Sequence, residues 1–325
     1  MPKLTLNNFA LIFFISAELS YYLLIAQTGI VESFASDIYA IAPLPIGGVV
    51  GSIIIYFWKI TNEKKIFLFL TVQLLLSFFY PNFNNLMLFI LGISVGALAP
   101  LLINELKKAT FIDLGFALAI SYSVGTALFN YEATQRGEIA IILTLVTIVS
   151  TFFLPEKKII SNNQEYSLFV MVLWIFLDSS LFETLSRDVN ISIWRDGYSI
   201  EIVIFHIIGV ITALNYKVEK NQNELIVVTL FALSYLFYFI QEAFILSLIY
   251  PFVISYYNVL ILKSILQKDL KTISIYMVFI GWTASGLGLF VALENLILFV
   301  PLLFLFSLIT IIIKQTSNTK EIHYA

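Results

Sequence analysis

Asn8 to Val31 reads NFALIFFISAELSYYLLIAQTGIV, an unbroken apolar stretch in which Glu18 is the only charged side chain. A helix needs about 20 mostly apolar residues to cross the hydrocarbon layer of a membrane, so the stretch predicts a spanning helix. It has no small-residue cleavage site and is followed by many similar runs, so it is expected to remain in the protein and not to be removed as a signal peptide. Working outward, polar clusters separate further runs at Ile38–Trp58, Lys65–Tyr80, Asn85–Asn104, Phe111–Asn130, Glu138–Leu154, Ser167–Ser186, Ser199–Tyr216, Glu224–Ile240, Ala243–Leu266, Thr272–Leu293 and Asn295–Lys314. The least marked division falls at Gln241-Glu242. Barrel strands would need alternating segments of about ten residues, and runs such as Leu296–Phe306 do not alternate. The expected fold class is an all-α integral membrane protein of twelve helices.

Composition agrees. Of 325 residues, 60% are apolar and 12% charged, against about half and roughly 25% in a soluble domain. Mean hydropathy is +0.94. There is no cysteine, and the histidines are His206 and His323, which excludes disulfides, thiolate nucleophiles and Cys/His metal cages. No metal, no cofactor and no enzymatic activity are expected. Net charge is −3 and the lysines are scattered, so nothing forms the basic face that a nucleic acid requires.

Lysine and arginine collect on the cytoplasmic side of short membrane loops. All fifteen lysines, from Lys3 through Lys107 and Lys268 to Lys320, fall at the N-terminus, at the loops after even-numbered runs or at the C-terminus, whereas Arg136, Arg187 and Arg195 fall on the other side. Both termini are therefore expected in the cytoplasm, in a cell membrane.

The halves resemble each other. A displacement of 160 residues carries Glu18 onto Asp178, and Ser121/Gly125 onto Gly281/Ser285. This predicts a six-helix bundle over residues 1–154, a cytoplasmic linker over 155–166 and a second six-helix bundle over 167–325, with a site between repeats as in many transporters. Glycines such as Gly47, Gly51, Gly92 and Gly96 fall in the second, fourth, fifth, eighth and eleventh runs, while the third, sixth, ninth and twelfth have none. Small residues let helices approach in lipid, so glycine-free runs suit the periphery.

Twelve helices, cytoplasmic termini and a six-plus-six duplication resemble the major facilitator superfamily of secondary transporters. After its second helix that family carries Gly-x-x-x-Asp-Arg-x-Gly-Arg-Lys, whereas this chain has Trp58-Lys59-Ile60-Thr61-Asn62-Glu63-Lys64-Lys65. Only the basic character survives, so the family's cytoplasmic latch lacks its motif here. The resemblance implies alternating access about a cavity lined by the first, fourth, seventh and tenth helices, which here hold Glu18, Pro100, Asp178, Glu183, Pro251, Tyr256 and Tyr257.

Several residues could carry chemistry. A carboxyl at mid-membrane depth costs a few kcal/mol on insertion scales, so Glu18 reads either as a proton carrier or as a structural carboxyl bonded to a neighbouring helix. Asp178 and Glu183 are five residues apart on one helix, about 140° around its axis, and serve different faces. Asp178, flanked at four residues by Trp174 and Phe182, is the better coupling candidate. Glu183 is a third proton-coupling candidate and can pair with Arg187 at (i, i+4) as a gate. Tyr22 stands one turn from Glu18 on the same face. His206 is a candidate relay or solute donor, although a lone histidine is more often packed. With Tyr22, Trp174, Tyr256 and Tyr257 it makes up the expected solute-binding set. The amides Gln27, Gln73 and Asn130 suit hydrogen bonds to neighbouring helices better than contacts to a solute.

These residues suggest a monomeric, proton-coupled carrier of a small organic solute. Acids and aromatics without a midplane cation suit cationic, zwitterionic or amphiphilic solutes, which favours efflux. The alternative is a flippase or membrane-embedded enzyme acting on lipid-linked substrates. Such enzymes usually carry a large outer loop or an Asp-rich metal site, and this chain has only Arg187–Tyr198.

Overall fold

A computed structural model describes residues 5–34, 38–155, 165–188, 190–304 and 309. The expected linker at 155–166 and the twelfth run beyond residue 304 lie largely outside these residues, as do Lys3, Lys157, Lys158, Lys314 and Lys320. Every regular element among the described residues is helical. The chain divides into two compact units, Met1–Glu165 with Leu262–Thr283, and Tyr166–Ile261 with Ala284–Ala325.

The first unit opens with α1 (Leu6–Tyr21), which begins where Thr5 and Asn8 form a reciprocal capping box that satisfies otherwise unpaired N–H groups. It continues without a break into a π-helical segment, Tyr22–Gln27, and α2 (Gly29–Ser33). The wider turn is visible in Thr28, whose N–H donates to Leu23 O five residues back at 3.0 Å. After α3 (Ile38–Ile41) come α4 (Pro43–Phe57), α5 (Asn62–Ser77), α6 (Asn85–Leu106), α7 (Phe111–Phe129) and α8 (Gly137–Thr151).

Helices α4 and α6 approach backbone to backbone. A Cβ on Gly47 would lie 2.1 Å from Phe89 O, one on Gly51 2.1 Å from Ile93 O, one on Gly92 2.1 Å from Leu44 O, and one on Gly96 2.1 Å from Gly48 O. The two small-residue stripes legible in the sequence therefore face each other, which is how helices gain dispersion contact where no hydrophobic force joins them. Ser52 Oγ adds a hydrogen bond to Gly96 O at 2.9 Å. Helix α8 leaves Ile142, Leu145 and Val149 exposed, as a lipid-facing helix should.

The second unit contains α9 (Leu168–Arg187), α10 (Ser199–Asn215), α11 (Lys220–Phe239) and most of α12 (Ala243–Ile265). The division at Gln241-Glu242 is real: α11 ends at Phe239, Gln241 takes a left-handed φ of 59°, and α12 starts at Ala243. Beyond α12, α13 (Leu270–Met277) packs on α4 and α6 within the first unit. A second π segment, Val278–Ala284, joins it to α14 (Ser285–Leu293), which packs on α9 in the second unit.

Eight helical stretches are long and apolar enough to cross a membrane: Leu6–Ser33, Tyr39–Phe57, Asn85–Leu106, Phe111–Phe129, Leu168–Arg187, Lys220–Phe239, Ala243–Ile265 and Leu270–Leu293. Gly137–Thr151 and Ser199–Asn215 are shorter apolar helices. Together they make a multi-pass integral membrane protein. The third expected run is the 16-residue α5, which starts on Asn62-Glu63-Lys64-Lys65. The twelfth is seen only as a turn of 3-10 helix, Ile297–Phe299, and the few helical residues after it.

Candidate functional site

Asp178 stands on α9, where Trp174, Asp178 and Phe182 follow one another at helical spacing. Its side chain is partly exposed, and both of its oxygens accept from α12. Tyr250 donates to Oδ1 at 2.8 Å and Tyr257 to Oδ2 at 2.5 Å. The Tyr250 hydroxyl also lies 3.0 Å from the main-chain carbonyl of Asp178. From α11, Tyr235 donates to the preceding carbonyl, Leu177 O, at 2.8 Å. Among the described residues no cation pairs with Asp178. Two buried phenols thus hold the carboxyl, each able to reverse its role as donor or acceptor, and a third bonds the carbonyl before it.

Glu18 sits differently. It is 5% exposed, and Gln73 Nε2 of α5 donates to its Oε2 at 3.2 Å while also donating to Thr144 Oγ1 of α8 at 3.2 Å. Gln73 Oε1 is buried without a partner. One amide thereby ties α1, α5 and α8 together. Tyr21 shares this layer, through a 3.2 Å hydrogen bond with Ser77. Tyr22 opens the π segment and meets Trp282 edge to face at 6.2 Å. Trp282 in turn donates Nε1 to Ser52 at 3.2 Å. Spacing alone places Tyr22 on the face of Glu18. The helix is still α-helical over that turn, since the Tyr22 N–H donates to Glu18 O, and the ring also rests against Trp282.

The remaining expected site residues lie mostly in helix contacts. Trp174 is fully buried, packs on Tyr166 and Tyr257, and leaves its Nε1 without a hydrogen-bond partner. His206 Nδ1 is 2.6 Å from Ser255 Oγ of α12, close to the point where Gly209 meets Phe252 O. Tyr256 points away from Asp178 and donates to Asn223 Oδ1 at 2.6 Å, and Asn223 donates to Tyr166 at 3.0 Å. Burial pushes the Tyr166 phenol up to about 12, so it is protonated at neutral pH. Glu183 is buried and Arg187 is partly exposed, one turn apart at the end of α9.

Other residues that matter here carry little signal in the sequence. Tyr250 and Thr144 are ordinary members of apolar runs, and Gln73 is legible as a helix-bonding amide without any indication of its partners. Arg136, which reads as an outer-loop cation, is completely buried. It donates to Leu24 O at 3.0 Å, Thr28 Oγ1 at 2.8 Å, Phe129 O at 2.8 Å and Tyr131 O at 3.0 Å. It thus takes up a carbonyl of the π segment that the wider turn releases from the α-helical pattern.

No protein-family model matches the chain, and no curated protein matches it in sequence. Among solved structures, the major facilitator superfamily transporter FucP in the outward conformation matches with a TM-score of 0.56 over 91% of this chain and 97% of that one, at 12% identity. The chain has the fold of a major facilitator superfamily transporter.

Proposed function

We propose that the protein is a secondary transporter that moves a small organic solute by alternating access and couples that movement to protons through Asp178. One observation carries the reading. A carboxyl in an apolar helix keeps partial exposure, pairs with no cation among the described residues, and is held only by neutral hydroxyls. A charge without a counter-charge is expensive within a membrane, and proton uptake relieves it. Glu18 has the more enclosed position and an amide for its partner, which suits a carboxyl that fixes a three-helix junction. In this reading Glu183 and Arg187 gate the outer end of α9. The proposed arrangement is twelve spans with cytoplasmic termini, and the proposed direction is efflux of a cationic, zwitterionic or amphiphilic solute, since the site sets a carboxyl among aromatic side chains and pairs it with no cation among the described residues.

The test is internal pH in proteoliposomes while cationic, zwitterionic and sugar-like solutes are added. Wild type is expected to move protons with one of these solutes, Asp178→Asn to lose that movement, and Glu18→Gln to keep it. Equal solute flux in all three proteins without proton movement would refute coupling. Loss of proton movement in Glu18→Gln alone would transfer the role to Glu18.

A further inference from the structure

The contacts of Tyr250 set it apart from its neighbour Tyr257. A phenol has one proton to donate, and the Tyr250 hydroxyl lies between two acceptors of the same residue, Asp178 Oδ1 at 2.8 Å and the Asp178 main-chain carbonyl at 3.0 Å. Tyr257 is placed on Oδ2 at 2.5 Å. Both rings are buried, Tyr250 at 0% and Tyr257 at 1% exposure, so neither hydroxyl has bulk water for an alternative.

An ionised carboxylate only accepts hydrogen bonds, whereas a protonated one carries an O–H. When a proton arrives on Oδ1, two O–H groups face each other across 2.8 Å and one must turn. Tyr250 has somewhere to turn. Its hydroxyl hydrogen rotates about the C–O bond toward the Asp178 carbonyl, which has a second lone pair beyond the one used in the helix, and the new Asp178 O–H donates to the phenol oxygen. No heavy atom moves, no buried donor is stranded, and Tyr257 holds Oδ2 throughout.

We infer that Tyr250 is a positioning residue for proton exchange at Asp178, switching its hydroxyl between Oδ1 and the Asp178 main-chain carbonyl as Oδ1 loses and gains the proton. This rests on the reading of Asp178 as the proton-carrying group. The other groups facing the carboxyl are Tyr235 from α11 and Tyr257 from α12. Neither α14 nor Ile297–Phe299, which also pack on α9, contains a titratable residue. On α9 itself, Glu183 and Arg187 lie more than a turn away. The switch therefore involves a single carboxyl and phenols that stay neutral.

The test is infrared difference spectroscopy of the full-length protein in lipid vesicles, stepped through pH, following the C=O band of a protonated carboxyl. That band is expected in wild type and absent in Asp178→Asn. In Tyr250→Phe it is expected to persist with its pH dependence displaced by about one unit, because a bond to the charged form is worth more than one to the neutral form. A band lost in Asp178→Asn but unmoved in Tyr250→Phe would overturn the role of Tyr250 and leave Asp178 as the proton carrier. A band that survives in Asp178→Asn would instead sink the proton site itself. Wild type carrying 13C-labelled tyrosine supplies a measurement independent of whether Tyr250→Phe folds. A tyrosine C–O band should shift at the same pH as the carboxyl band, and tyrosine bands that stay constant through that titration would also overturn the inference.

Discussion

Replacing Gly96 with alanine tests whether the close approach of α4 and α6 holds the first unit together. The added Cβ would stand 2.1 Å from Gly48 O, 2.6 Å from Gly48 Cα and 2.7 Å from Gly48 C. All three are backbone atoms and cannot rotate away. A carbon rests about 3.3 Å from a carbonyl oxygen, so the helices must part by about 1 Å. That motion stretches the Ser52 to Gly96 O bond, now 2.9 Å, past the range in which it counts as a hydrogen bond. Overpacking costs about 1–3 kcal/mol and a buried hydrogen bond about 1 kcal/mol, giving a loss of about 2–4 kcal/mol. The control is Gly286→Ala on α14, where the new Cβ would meet no atom within 4 Å and alanine favours the helix by up to about 1 kcal/mol. Unfolding of the purified protein in detergent, followed by tryptophan fluorescence, measures both, since Trp282 lies against Gly48 and bonds Ser52. The reasoning fails if Gly96→Ala unfolds with wild type, or if Gly286→Ala is the more damaging of the two.

Two further outcomes follow from other parts of the molecule. Arg136→Lys replaces a planar fork that serves four oxygens with a point charge that cannot reach them all. It should destabilise the protein by about 2–4 kcal/mol, and an unchanged unfolding midpoint would show that the fork is dispensable. At the start of α13, the side-chain and N–H hydrogen bonds of Thr272 hold the Asp269 carboxyl below its usual range. A depressed value means that its contribution is present above the ordinary carboxyl pKa and is lost as pH falls through the folded value. Asp269→Asn keeps the cap and should flatten the acid limb of the stability profile below about pH 4, whereas an unaltered acid limb would show that Asp269 contributes nothing to it.

Helix positions are largely legible because apolar run length is set by membrane thickness, and even the slight break at Gln241-Glu242 marks a true left-handed turn. The glycine stripes announce a close helix contact, although nothing local says that Gly47 and Gly51 meet Gly92 and Gly96. The limits have a common physical cause. A helical wheel assigns a residue to a face but does not name what covers that face. Tyr250 and Tyr257 reach Asp178 from 72 and 79 residues away, a separation at which periodicity carries no information. The π segment at Tyr22–Gln27 also breaks the assumption of 100° per residue for the turns that follow Tyr22. Arg136 is hidden for the same reason, since the carbonyls it binds are defined by backbone geometry and not by residue type.

The 160-residue displacement read from the sequence pairs Glu18 with Asp178, yet their partners give them different chemistry. Gln73 offers Glu18 an amide nitrogen that only donates, and this nitrogen is already shared with Thr144. For Glu18 to donate a proton of its own toward Gln73, the amide would have to turn its oxygen inward and give up the bond to Thr144. Protonation on that side would therefore disturb three helices. Asp178 is held by hydroxyls, which reverse by rotating a hydrogen. Its protonation can proceed while α9 and α12 stay joined. In the proposed reading, the paired positions thus serve as a pin in one unit and as an exchangeable acid in the other. What distinguishes them is whether the neighbouring dipole can turn without moving a heavy atom.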